Sequence, residues 1–158
     1  MNSQEIQNLI KELIEKTNVP VKEIVVSGDG SKTTIYSVEV AEPHLFTARE
    51  GEALTALNHL VRRIIESKIP EGLEEKGPSI LVDIGGFQKK RIDNIHTIAH
   101  MMAERARYFK SSVEIDPMSA FDRRIVHEFL SDATDLKTES AGEGPSRRVV
   151  IKYIGGLI

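Results

Sequence analysis

A chain of 158 residues with 40% hydrophobic and 28% charged side chains holds enough apolar material for one ordinary domain or two small ones, and too little charge bias for disorder. It contains no cysteine, which excludes disulfides, thiolate metal sites and cysteine nucleophiles and fits a reducing compartment. The net charge of -3 excludes a generally basic protein that coats phosphates, so any contact with nucleic acid has to be local.

Residues 3 to 16 place Ile6, Leu9, Ile10, Leu13 and Ile14 at helical spacing, which predicts an amphipathic helix ended by Asn18 and Pro20. The N-terminus Met1-Asn2-Ser3-Gln4-Glu5 has no basic region followed by an apolar stretch, so no signal peptide is expected. Two extended segments follow, Val21 to Val26 and Thr33 to Val40, joined by the turn Ser27-Gly28-Asp29-Gly30-Ser31. In the second, Thr34, Tyr36, Val38 and Val40 alternate with Ile35, Ser37 and Glu39.

A short turn with His44-Leu45-Phe46 leads through Ala48-Arg49-Glu50-Gly51 to a helix from about Glu52 to Ser67, with Leu54, Leu57, Val61, Ile64 and Ile65 on one face. Pro70 to Pro78 reads as a loop carrying the acids Glu71, Glu74 and Glu75, and Ser79 to Ile84 as a buried strand closed by Gly85-Gly86. Residues 88 to 109 form the longest predicted helix, with Ile92, Ile95, Ala99, Met102, Ala106 and Phe109 inward. Its apolar runs, such as Met101 to Ala103, fall far short of the roughly 20 residues of a membrane helix, so no membrane insertion is expected and the chain is placed in the cytoplasm.

Val113-Glu114-Ile115 reads as a strand and Asp116-Pro117 ends it. Ser119-x-x-Asp122 is the pattern of a capping box that opens a helix to about Leu130. Two strands, about Leu136 to Glu139 and Arg148 to Tyr153, flank the turn Gly142-Glu143-Gly144-Pro145. The cations Lys89-Lys90-Arg91, Arg105, Arg107, Lys110, Arg123-Arg124 and Arg147-Arg148 all lie in the second half.

The strand-helix-tight loop-helix-strand order of residues 33 to 84 resembles a KH domain, which clamps single-stranded nucleotides with a Gly-x-x-Gly loop between two helices. Small residues there let backbone approach phosphate, and the following helix N-terminus favours negative charge. This chain reads Ala48-Arg49-Glu50-Gly51, without the first glycine and with an acid where cations are common. The half therefore either binds RNA through this altered loop or serves as a protein-binding platform.

Arg123-x-x-x-His127 resembles the R-3-H domain, a single-stranded nucleic-acid-binding module named for that spacing. Residues four apart share a helix face, so guanidinium and imidazole form one polar patch. The surrounding pattern is Pro117-Met118, Arg123-Arg124-Ile125-Val126-His127, Thr138-Glu139-Ser140, Gly142-Glu143, Pro145 and Arg147-Arg148-Val149-Val150-Ile151. Together with the KH-like half it is similar to the Jag (SpoIIIJ-associated) family of bacterial proteins, over about residues 20 to 153. Members of that family usually carry a further N-terminal domain, which this sequence is expected to lack.

The resemblance implies an α+β chain in which a KH-like α/β domain, residues 1–110 with the long helix, precedes a small α/β R-3-H domain, residues 111–158. It implies that Arg123, His127 and Arg147 line a nucleic-acid site with Arg124 and Arg148 as helpers, alongside the loop Ala48, Arg49, Glu50 and Gly51. Arginine suits such a task because its planar fork pairs with phosphate and stacks on bases. Arg124 with Glu128 is equally an ordinary (i, i+4) pair.

His96 and His100 also sit four apart, but the intervening Thr97-Ile98-Ala99 lacks the glutamate of a His-Glu-x-x-His zinc site, and no metal is expected. No phosphate-binding Gly-rich loop with lysine, nucleophile elbow or matched carboxylate pair occurs. The expectation is a non-enzymatic protein without cofactor that binds single-stranded RNA, in preference to DNA, as a post-transcriptional regulator. The alternative is an adaptor whose KH-like half contacts a protein partner.

Overall fold

The computed structural model describes residues 1–28, 33–72 and 77–155. The centre of the expected hairpin turn at Asp29-Gly30-Ser31 and the acids Glu74 and Glu75 lie outside the described residues. The protein is a mixed α+β chain that divides into two compact units, Met1–Lys89 and Lys90–Ile158.

In the first unit, helix α1 (Ser3–Glu15) opens on a capping box: the Asn2 side chain accepts from Glu5 N at 2.9 Å while Asn2 N donates to Glu5 Oε2 at 2.8 Å. Strands β1 (Val21–Ser27) and β2 (Thr33–Val40) pair antiparallel, with Ile24 opposite Val38. Strand β3 (Ser79–Ile84) joins β2 in parallel, with Tyr36 beside Val82, giving the order β1-β2-β3. A parallel pair needs a crossover, and helix α2 (His44–Ser67) supplies it.

The alternation in β2 and the helical stripes meet in one core of Ile10, Ile14, Tyr36, Val38, Leu54, Val61, Val82 and Ile84. Each such side chain contributes about 1.5–3 kcal/mol relative to exposure. Asn58 fastens α2 to the edge strand, because its amide donates to Val82 O at 2.9 Å and its carbonyl accepts from Val82 N at 2.8 Å. It thereby satisfies backbone groups of β3 that no further strand reaches.

Helix α2 is broken at the expected loop. Ala48 is extended (φ -61°, ψ 159°), and Arg49, Glu50 and Gly51 have φ of 52°, 57° and 75°. Gly51 is buried, and a Cβ placed on it would lie 2.5 Å from Phe87 Cε1.

The second unit begins within helix α3 (Phe87–Phe109) and continues through β4 (Val113–Glu114), α4 (Ala120–Phe129), β5 (Leu136–Ala141) and β6 (Arg148–Tyr153). Its sheet is antiparallel in the order β4-β6-β5. Ile95, Ala99, Ala103 and Ala106 of α3 form one core with Ile125, Val126, Val149 and Ile151. The division at Lys89/Lys90 thus falls ahead of the boundary expected at residue 110, because the buried stripe of the long helix belongs to the second core. Phe109, expected inward, is instead 61% exposed. The helix closes just after it: Lys110 has φ 49° and Ser111 N donates back to Ala106 O at 3.2 Å, so the chain turns there, beyond the last buried residue Ala106.

Gly51→Ala is expected to lower the stability of the first unit by about 2–4 kcal/mol, because alanine is strained at this φ and its methyl group meets the Phe87 ring. An unchanged urea midpoint in the variant would show that the loop relaxes freely.

Candidate nucleic-acid interface

Helix α4 opens at Ser119, whose hydroxyl accepts from Asp122 N at 3.2 Å. Only this half of the expected capping box forms, because the Asp122 carboxylate turns to Arg91 Nη2 at 2.9 Å. The apolar Ile125 and Val126 go into the core, and the 3.6-residue period leaves Arg123 and His127 together on the neighbouring face.

Both nitrogens of the half-buried His127 are bonded across to β5. Nδ1 lies 2.7 Å from Thr138 Oγ1 and Nε2 lies 3.1 Å from Ser140 Oγ. A hydroxyl either donates or accepts, so this pair satisfies either tautomer of the neutral ring. Burial lowers the His127 pKa below the ordinary 6.5, and the positive charge of Arg123 lowers it further. The motif histidine is therefore a neutral clamp between helix and strand.

Arg123 is half-buried and its Nη1 donates to Met118 O at 2.8 Å. Met118 N in turn donates to Arg147 O at 3.2 Å, so two backbone-linked bonds tie the α4 arginine to the start of β6. Arg147 is exposed and extended (φ -67°, ψ 131°). The two-residue period of extended chain puts it in the row of Val149, whose partner on β5 is Ser140. Arg147 makes no side-chain hydrogen bond or ion pair with the described residues.

The helper arginines are both engaged. Arg124 is exposed, 3.7 Å from Glu128 as the (i, i+4) spacing predicts and 5.8 Å from the Phe121 ring centroid. Arg148 donates from Nε to Glu114 Oε2 at 2.8 Å on the neighbouring strand, which holds its own pKa above the ordinary value. Arg107 forks onto Asp135, with Nε to Oδ2 at 2.6 Å and Nη2 to Oδ1 at 3.0 Å, and so ties α3 to the turn before β5. His96 stacks on Phe129 with ring centroids 4.6 Å apart, which gives it a packing role.

In the first unit, Ala48, Arg49 and Glu50 are exposed at the broken corner of α2, ahead of the helical stretch that carries Leu54 and Leu57. The structure brings these residues together as a loop, and brings Arg123, His127 and Arg147 together in the second unit.

Thr138 and Ser140, the partners of His127, are visible in the sequence only as neighbours in the motif. Their signal is strand alternation, since Leu136, Thr138 and Ser140 share a face of β5. Asp122, Asp135 and Glu114 give no such signal, because each pairs with an arginine 28 to 34 residues away.

Residues 93–153 match the family model of the R-3-H domain, so the second unit carries an R-3-H domain. The chain as a whole is homologous to bacterial proteins named RNA-binding protein KhpB. That of Bacillus subtilis (strain 168) is 26% identical over 150 residues, covering 94% of this chain and 67% of that protein. The Clostridium symbiosum protein is 23% identical over 142 residues, covering 90% of this chain and 62% of that protein. The protein of Streptococcus pneumoniae serotype 2 is 23% identical over 148 residues, covering 93% and 43%. The chain thus spans between under half and two thirds of the length of these relatives. No helix among the described residues is long and apolar enough to cross a membrane.

His127 supplies a pH test. Its neutral form is the one the fold holds, while the unfolded chain takes up a proton near pH 6.5, so acid favours unfolding. The contribution is fully present above 6.5 and is lost as the pH falls toward the lowered folded value. Melting temperatures from about pH 7.5 to 5.5 should fall more steeply in the wild type than in His127→Gln. Parallel profiles would mean that the ring is protonated as readily in the fold as in the unfolded chain.

Proposed function

We propose that this protein binds single-stranded RNA, in preference to DNA, and regulates the fate of the RNA by binding it rather than by chemistry. The observation that carries the reading is the patch in the R-3-H domain, where Arg147 stands exposed and unpaired among the described residues beside the braced Arg123 and His127. A guanidinium with no internal partner keeps its full donor fork for phosphate. Homology to proteins named for RNA binding supports the same assignment.

The first unit is read as a KH-like domain, with Ala48, Arg49, Glu50 and Gly51 as its loop at a second RNA contact. Its backbone explains the tolerated substitution: Ala48 is extended with φ -61°, a conformation that needs no glycine, while the left-handed residues are the three that follow. Arg49 attracts phosphate there and Glu50 repels it. If Glu50 prevails, this half acts as an adaptor for a protein partner and the R-3-H domain binds RNA alone. Both readings place the protein in the cytoplasm and need neither cofactor nor metal.

Arg147→Ala should leave the melting temperature close to that of the wild type and weaken binding to a single-stranded oligoribonucleotide. Loss of one phosphate contact should also flatten the slope of log K against log salt by roughly 0.7. A variant with wild-type affinity and slope would remove Arg147 from the interface.

The double variant Ala48→Gly, Glu50→Lys reports on the first unit. Charge reversal should tighten RNA binding several-fold, while loss of an acid near a helix N-terminus, worth about 0.3–1 kcal/mol, lowers the melting temperature slightly. RNA affinity that stays unchanged in the folded double variant would leave the adaptor reading for this half.

A further inference from the structure

The chain has only three tyrosines, five phenylalanines and no tryptophan. Two of these rings stand side by side in solvent at the end of α3: Tyr108 is 82% exposed and Phe109 61%. They meet edge to face with centroids 5.0 Å apart and planes at 88°. The second core closes without them. Two adjacent large rings left in solvent form an exposed apolar patch of the kind that marks a binding surface.

The surroundings indicate which ligand. Arg105 holds its guanidinium 6.0 Å from the Phe109 ring centroid. A cleft of about 410 Å³ opens beside Phe109, lined by Met102, Arg105, Ser111, Ser112 and Glu114 among others. Neither serine hydroxyl makes a hydrogen bond with the described residues, so both remain available to base edges. Of the nearby carboxylates, Glu114 is paired with Arg148 at 2.8 Å, and Glu104 shares Arg107 with Asp135. Arg105 and Lys110 have no ion pair among the described residues. A purely apolar partner would bury these cations without compensation, whereas a nucleic-acid strand offers π-faces to the rings and phosphates to the cations.

We propose that Tyr108 and Phe109, with Arg105 and Lys110, form a base-stacking platform for single-stranded nucleic acid, a contact separate from the Arg123–His127–Arg147 patch. The proposal rests on the RNA-binding reading above. Glu114 pairs with Val150 on the adjacent β6, three residues from Arg147 along the strand. Glu114 thus belongs to the row of Arg148 and Val150, which alternates with the row of Arg147 and Val149, so the platform lies on a different face of the sheet from Arg147.

The test is titration of the full chain with an oligouridine of about ten nucleotides and with its abasic counterpart, in a salt series. Both rings are exposed, so Tyr108→Ala with Phe109→Ala should fold, as thermal melting checks. The double variant should bind oligouridine about five- to 150-fold more weakly, the loss expected for one stacked base. Its salt slope should be unchanged, since rings release no counterions, whereas Arg147→Ala flattens the slope. Tyr108→Phe should retain affinity, and the abasic strand should bind wild type and double variant alike.

Wild-type affinity in the double variant, with Arg147→Ala impaired, would overturn the platform and leave the RNA reading intact. A wild type that self-associates on sedimentation, and a double variant that is monomeric with unchanged RNA affinity, would assign the rings to a second copy of the chain. A wild type that binds no oligonucleotide would overturn both readings together.

Discussion

The second unit depends on one side chain held at both ends. His127 sits between α4 and β5 with a hydroxyl on each ring nitrogen, Thr138 at 2.7 Å and Ser140 at 3.1 Å. Those bonds set the distance and rotation of the helix over the strand, and with them the direction in which Arg123 leaves the helix. Arg123 then braces the Met118 carbonyl, and Met118 N braces Arg147 O, so the arginine at the head of β6 projects from a bonded frame. A guanidinium on such a frame loses little freedom when it meets phosphate, which lowers the ordering cost of binding. The histidine that names the motif thus acts as a brace, and on the proposed reading it influences RNA only through its neighbours.

The periodicities that predict the elements are the ones that fill the two cores. The stripe of Leu54, Leu57, Val61 and Ile65, the alternation of Tyr36, Val38 and Val40, and the break at Ala48–Gly51 are all legible in the sequence. What one-dimensional pattern does not contain is the identity of the partner. Ala99, Ala103 and Ala106 announce that something approaches α3 closely, but nothing local says that Val149 and Ile151 do so, and the unit boundary differs from the expected one for that reason. Phe109 departs differently: it keeps the helical period of Ala99, Met102 and Ala106, yet the core ends at Ala106 and the chain turns at Lys110. Period locates a face; the length of that face which is covered depends on the neighbouring sheet.

The corner of α2 shows strain where the sequence departs from expectation. Arg49 and Glu50 both adopt left-handed backbone at a cost of about 1–2 kcal/mol per residue, and Gly51 extends the run while lying against Phe87. Such a conformation persists only where its surroundings over-determine it, and the close Gly51–Phe87 approach is that determinant. Loops that keep so costly a shape on an exposed surface concentrate at binding sites, which is the support for proposing a contact at this corner.

A chain with net charge -3 can still present a local positive surface where its carboxylates are paired internally. Asp122 holds Arg91, Asp135 and Glu104 share Arg107, and Glu114 holds Arg148, so each of these carboxylates of the second unit is screened by an adjacent guanidinium. The pairs differ in what they release. Exposed pairs such as Arg124–Glu128 contribute about 0–1 kcal/mol, so phosphate can take the arginine at little cost. The two-pronged Arg107–Asp135 pair lowers the Asp135 pKa and raises that of Arg107, and it stays in the fold as a tie between α3 and the turn before β5. Among the described residues the cations that fold formation leaves without an ion pair include Arg147 at the head of β6 and Arg105 with Lys110 at the end of α3, and the proposed contacts use these. The local field at an interface is decided by which charges the fold has already used, and total charge is a poor guide to it.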